Sequence, residues 1–150
     1  MDGNARRVVI GLGVVLVLVV AIVLRGGRDD SPQNPLPDYA LSIDGGAAEL
    51  RADAPFDLAL RPASSVPGKV VAFVFAIGEG EPNAVDAKVD IAEGGSIHIA
   101  GRARALTGAR EMRVVVGAAT EFKRFEDALT RARAGTSDAR MRVVTVRVAR

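Results

Sequence analysis

The chain of 150 residues has no cysteine, no tryptophan, one histidine and one tyrosine, and aromatic residues make up only 4% of it. Without Cys there is no disulfide scaffold, no cysteine-ligated zinc or iron–sulfur centre, no Cys nucleophile and no lipidated Cys. A lone His98 also excludes sites that need two imidazoles. No Asn-x-Ser/Thr acceptor occurs, because Asn4, Asn34 and Asn83 lack the hydroxyl two positions on. Phosphate-binding loops, paired-His zinc helices and EF-hand spacings are absent. Nucleic acid is a poor partner, since no strand interleaves aromatic with basic residues.

Against these absences stands one long apolar run. Val8 to Leu24 is 17 consecutive residues with nothing polar but the backbone of Gly11 and Gly13. As a helix it measures about 26 Å, near the short limit for crossing a hydrocarbon core of about 30 Å. Gly11 and Gly13 open no dinucleotide fingerprint, because they lie inside this block and no third Gly follows. The competing reading is a cleaved secretory signal with Arg6 and Arg7 as its charged region; the length of the run and the lack of a small-x-small site after Ala21 argue for an uncleaved anchor. Arg6 and Arg7 are balanced by Arg25 and Arg28, so the positive-inside count is tied. The amino terminus tips it, predicting a cytoplasmic tail (1–7), a single transmembrane helix (8–24) in the inner cell membrane, and an extracytoplasmic C-terminal domain. Between anchor and domain, residues 25–38 hold Gly26, Gly27, Pro32, Pro35 and Pro37, a stiff linker able to extend roughly 40 Å.

From Tyr39 the hydrophobic period becomes two. Tyr39, Leu41 and Ile43 alternate with polar or small residues, and Gly45-Gly46 reads as the turn of a hairpin into Ala47 to Arg51. Phe56, Leu58 and Leu60 define a half-buried strand ended by Pro62, and Val70 to Ile77 an apolar strand covered on both faces. Val85 to Ile91 and Ile97 to Ile99 flank Gly94-Gly95 as a second hairpin. Further strands follow at Glu111 to Gly117 and Met141 to Val148. Between them a helix is expected over 121–134, capped by Thr120, stopped by Gly135, and striped with Phe122, Phe125, Ala128, Leu129 and Ala132. On that helix Asp127 and Arg131 are spaced to pair. The expected fold class is mainly β: an antiparallel immunoglobulin-like sandwich over 39–150 with one inserted helix, which braces an open edge or end. An α+β fold with the helix on one face of a single sheet is the alternative.

The search for chemistry identifies no catalytic, cofactor-binding or metal-ligating residue. His98 lies between Ile97 and Ile99 and so points to the opposite, solvated face; no orienting partner for it is evident. Gly94-Gly95-Ser96-Ile97-His98 fails as a nucleophile elbow because His98 stands where the last Gly belongs. Glu79, Glu81, Asp86, Asp90 and Glu93 cluster around one hairpin, as solvated loop carboxylates or, alternatively, ligands for a hard cation such as calcium. Charge is segregated along the chain: residues 29–101 carry 4 basic and 12 acidic groups, and residues 102–150 carry 12 basic and 5 acidic. Interleaved strands would let the two halves neutralise each other; the alternative is a bipolar surface for phosphate head groups or an acidic partner.

Several strings together, Tyr39 to Gly46, Phe56 to Ala63, Gly95 to Gly101 and Met112 to Gly117, resemble an uncharacterised domain that follows the single transmembrane helix of bacterial anti-sigma-factor-like membrane proteins. The resemblance covers about residues 39–148 and implies no catalytic residue. In such proteins a cytoplasmic module before the helix contacts the sigma factor; here seven residues precede the apolar run, so the outward-facing half is what the resemblance implies. The expected function is therefore a non-enzymatic, membrane-anchored sensing or interaction module of the bacterial envelope, with the lipid bilayer and an envelope protein as partners. The rival is an envelope glycan-binding or glycan-hydrolysing protein that uses carboxylates near Asp86 and Asp90.

Overall fold

A computed structural model of the chain describes residues 35–150. The expected tail 1–7, the anchor 8–24 and linker residues 25–34 lie outside the described residues. Among the described residues no helix is long and apolar enough to cross a membrane. They contain nine strands: β1 (Tyr39–Ile43), β2 (Leu50–Arg51), β3 (Phe56–Pro62), β4 (Val70–Ile77), β5 (Asn83–Ala84), β6 (Ala87–Ile91), β7 (Ile97–Gly101), β8 (Glu111–Ala118) and β9 (Met141–Ala149). One α-helix, α1 (Phe125–Ala134), joins β8 to β9. The described residues are thus mainly β, in a four-stranded sheet ordered β1-β3-β7-β6 and a five-stranded sheet ordered β2-β9-β8-β4-β5.

Period-two patterning accounts for the packing of the sheets. In β3, Phe56, Leu58 and Leu60 are buried while the residues between them are partly or fully open, and Leu58 and Leu60 sit opposite Ile99 and Ile97 of β7. From the second sheet Met112, Val114, Val116, Val146 and Val148 enter the same core. Leu36 is also buried there, 2% exposed, although the prolines around it read as linker. Its N–H donates to Ala139 O at 2.9 Å, and Arg142 donates to its carbonyl at 2.5 Å. The packed unit therefore begins three residues before the alternation does.

Gly45-Gly46 does not turn a hairpin. β1 pairs antiparallel with β3, whereas β2 joins the other sheet beside β9, the one parallel pair among the described strands. The two glycines, both with φ above +70°, carry the chain from one sheet to the other. A two-glycine turn permits either path, and burial of Leu50 in the shared core selects the crossing.

α1 is shorter than its apolar stripe predicts. Ala119–Glu121 form a 3-10 turn, and Phe122 stays extended (φ −108°, ψ 92°). That places its ring edge-on to Phe73, with centroids 5.1 Å apart, and over Gly117, where any Cβ would lie 2.7 Å from the ring. Packing thus delays the helix, and Arg124 rather than Thr120 is its N-terminal boundary. Asp127 does not pair with Arg131: its Oδ2 accepts the N–H groups of Lys123 and Arg124 at 3.0 Å each, and Arg131 reaches Asp138. Gly135 terminates the helix as expected, at φ +68° with its N–H on Arg131 O. The helix lies on the outer face of the five-stranded sheet rather than at an edge or end. There Ala128 and Ala132, both 0% exposed, cover Phe75 and Val115. This is why β4 and β8 read as nearly continuous apolar runs: one face meets the core and the other meets α1.

Candidate functional site

The outer face of the four-stranded sheet gathers the polar residues of three strands. Alternation in β3 turns Asp57, Ala59 and Arg61 outward; in β7 it turns out His98 and Ala100, and in β6 Lys88 and Asp90. The register then sets Ala59, His98 and Asp90 in one row across the sheet, and Asp57, Ala100 and Lys88 in the next. Asp57 and His98 are diagonal neighbours, and His98 Nε2 lies 2.6 Å from Asp57 Oδ1. On its other side His98 faces Asp90, whose Oδ2 is 3.0 Å from Lys88 Nζ. His98 points to solvent as its position between Ile97 and Ile99 predicts. Its orienting carboxylate, Asp57, escapes local reading because it lies 41 residues away; only knowledge that β3 pairs with β7 reveals it.

A His held by a carboxylate is arranged for proton transfer, but this pair stands on an open surface, with side chains 49% and 47% exposed. Ser42, on β1 beside Ala59, hydrogen-bonds Ala59 O at 3.5 Å. Next to the pair, Asp86, Lys88, Ala100, Gly101 and Arg102 line a shallow cleft of about 430 Å³. Its charged lining is one carboxylate and two cations.

The loop carboxylates do not converge. Arg110 donates to Glu79 at 2.5 Å, Arg133 pairs with Glu81, and Asp90 is held by Lys88. Among the described residues no three carboxylate or imidazole groups gather to hold a metal ion. Three of the ion pairs, Glu79–Arg110, Glu81–Arg133 and Asp38–Arg142, join the acidic half of the chain to its basic half.

A second cleft, of about 760 Å³, lies between α1 and the start of β9, and Lys123, Arg131, Arg140, Glu121 and Asp127 are among the residues that line it. Arg140 pairs with Glu121 at 3.0 Å and Arg131 with Asp138 at 2.5 Å. Burial of the Asp138 carboxyl raises its pKa, but the N–H groups of Arg140 and Met141 with the Arg131 guanidinium outweigh this and hold it below the ordinary value. A hydrogen bond from Arg51, with its charge, likewise lowers Asp53. Burial raises the phenol of Tyr39, whose hydroxyl has no hydrogen-bond partner among the described residues. No protein-family model matches the sequence, and no curated protein matches it.

Proposed function

We propose that this chain is a non-enzymatic interaction or sensing module, anchored in the inner membrane by residues 8–24 and presenting its β domain to the envelope space, with anti-sigma-type signalling as its setting. One observation carries the choice over the glycan reading: Glu79, Glu81 and Asp90 are each paired with a separate cation while staying 82%, 72% and 55% exposed, and Asp86 stands exposed as well. Glycosidic chemistry needs two carboxyls about 5 to 10 Å apart flanking one bond, one of them kept protonated by its surroundings. Solvated carboxylates, three of them each held by its own cation, suit a stable surface for a protein partner.

The finer fold reading is the immunoglobulin-like sandwich. Supporting it, strands β1, β3, β7 and β6 form one sheet and β9, β8 and β4 the other, the same alternation between sheets that places strands A, B, E, D against G, F, C in such domains. In that scheme α1 occupies the F–G connection.

The experiment is a direct comparison with the glycan reading. Full chain in detergent, incubated with envelope glycan, is expected to release no reducing ends, and the combined Asp86→Asn and Asp90→Asn variant to sediment with that glycan no differently from the parent. Hydrolysis or binding by the parent that the double variant loses would replace the interaction module with the glycan protein.

A further inference from the structure

The two sheets end differently. The five-stranded sheet closes with two-residue strands, β2 and β5, whereas the four-stranded sheet ends in five-residue strands, β1 and β6. Directly after β6 the N–H of Ala92 donates to Ser96 O at 2.8 Å, which sets the phase of the ladder to β7. Antiparallel pairing alternates, so Lys88 and Asp90 bond to β7 while Ala87, Val89 and Ile91 turn N–H and C=O away from the sheet. Val85 shares the outward phase, and its N–H is taken by Val74 O at 2.9 Å. Past that bond the outward groups of Ala87, Val89 and Ile91 have no backbone partner among the described residues. Ile91 is also one of only two large hydrophobic side chains among the described residues that stand exposed, at 39%.

We infer that β6 is a self-association edge, at which a second copy of this chain adds its own β6 antiparallel about a two-fold axis through Val89. Charge complementarity argues for this occupant. In that register Lys88 faces the partner's Asp90, and Asp90 faces the partner's Lys88. Both are non-hydrogen-bonded sites, where opposed side chains come closest. Val89 faces its own copy, and Ile91 faces the partner's Ala87, so the three outward residues of each strand exchange backbone bonds. A slip of two residues in either direction sets Lys88 against Lys88 or Asp90 against Asp90. One register is therefore favoured. Edge strands are commonly guarded by charge, but a guard of one sign repels a second copy, while a Lys and an Asp two residues apart attract one. The other free edge, β1, presents Ala40 and Ser42 in the equivalent places and specifies no register. An isologous contact of this kind closes on itself as a dimer, with the two four-stranded sheets joined into one of eight.

The test is sedimentation of the full chain in density-matched detergent, comparing the parent with Asp90→Lys, Lys88→Asp and the double swap. Both positions are exposed on the strand, and far-UV circular dichroism confirms that each variant is folded. The parent should sediment as a dimer. Each single reversal sets like charges across the axis twice and should weaken the dimer about tenfold or more, and the double swap, again complementary, should restore it. Val89→Cys, in a chain without other Cys, should then cross-link on oxidation, since paired Cα atoms at such a site lie about 5.5 Å apart. A parent that stays monomeric, a dimer indifferent to both reversals, a folded double swap that does not recover, or a monomer that takes up an extended strand of another protein at β6 would each overturn the inference.

Discussion

At the turn between α1 and β9, Asp138 Oδ1 accepts the N–H groups of Arg140 and Met141 at 2.8 Å each, while its Oδ2 takes the Arg131 guanidinium. This is the work of a capping carboxylate, worth about 1 kcal/mol. Asp138→Ala should therefore lower stability by about that amount at neutral pH. Because the folded-state pKa is depressed, this contribution is full above the ordinary Asp value of about 3.9 and is lost as pH falls through the lower folded value. Thermal melts of parent and variant should accordingly differ at pH 7 and converge as the solution is acidified; a gap independent of pH would mean that the carboxylate is not what holds the turn. Gly101 is constrained differently: a Cβ there would overlap the Phe56 ring directly opposite across β3 and β7. Gly101→Ala should cost about 1 to 3 kcal/mol or more through overpacking, and Phe56→Leu in the same chain should recover part of it. If the two changes simply add in chemical denaturation, the ring and the glycine are not in the contact described.

The helix is fastened at both ends by side chains that are not part of its apolar stripe. Arg113, on β8, donates to Ala132 O at 2.6 Å and to Arg133 O at 3.3 Å, and its guanidinium also meets Glu111. It therefore satisfies carbonyls that the last turn leaves open and complements the negative end of the helix. Arg113→Met keeps the aliphatic stem and removes these bonds; a loss of about 1 to 3 kcal/mol is expected, since the bonds are charge-assisted. Phe125→Ala should cost less than truncation of a wholly buried ring, because Phe125 is 44% exposed although it packs against Phe73 and Phe75. Hydrogen exchange of α1 reads both variants, and faster exchange in F125A than in R113M would show that the stripe and not the cap governs docking. The stripe itself was legible, and Ala128 and Ala132 lie at its buried centre. Where the helix starts was not, because the choice between Thr120 and Arg124 depends on Phe73 and Gly117, which receive Phe122 from other strands.

Across the described residues, alternation in β1, β3, β6, β8 and β9 and the unbroken apolar run of β4 predict these strands to within a residue or two, and alternation gives the outward aim of His98, because period two follows from the pleat alone. What alternation cannot encode is partnership. The Asp57–His98 contact, the crossing at Gly45-Gly46 and the union of Glu79 and Glu81 with Arg110 and Arg133 all join segments distant in sequence, and each needs the sheet order before it can be seen. That order brings the acidic first part of the domain against its basic last part, and exposed pairs of this kind, worth about 0 to 1 kcal/mol each, serve neutrality and register more than stability. The proposed role then rests most heavily on the side of the membrane the domain occupies. The direct measurement is single-cysteine labelling of the full chain in intact bacterial cells, with Thr136→Cys, an exposed position in the connection between α1 and β9, and a membrane-impermeant maleimide. An envelope-facing domain predicts labelling once the outer barrier alone is permeabilised and before the inner membrane is breached; labelling only after complete lysis would place the domain in the cytoplasm and contradict the account.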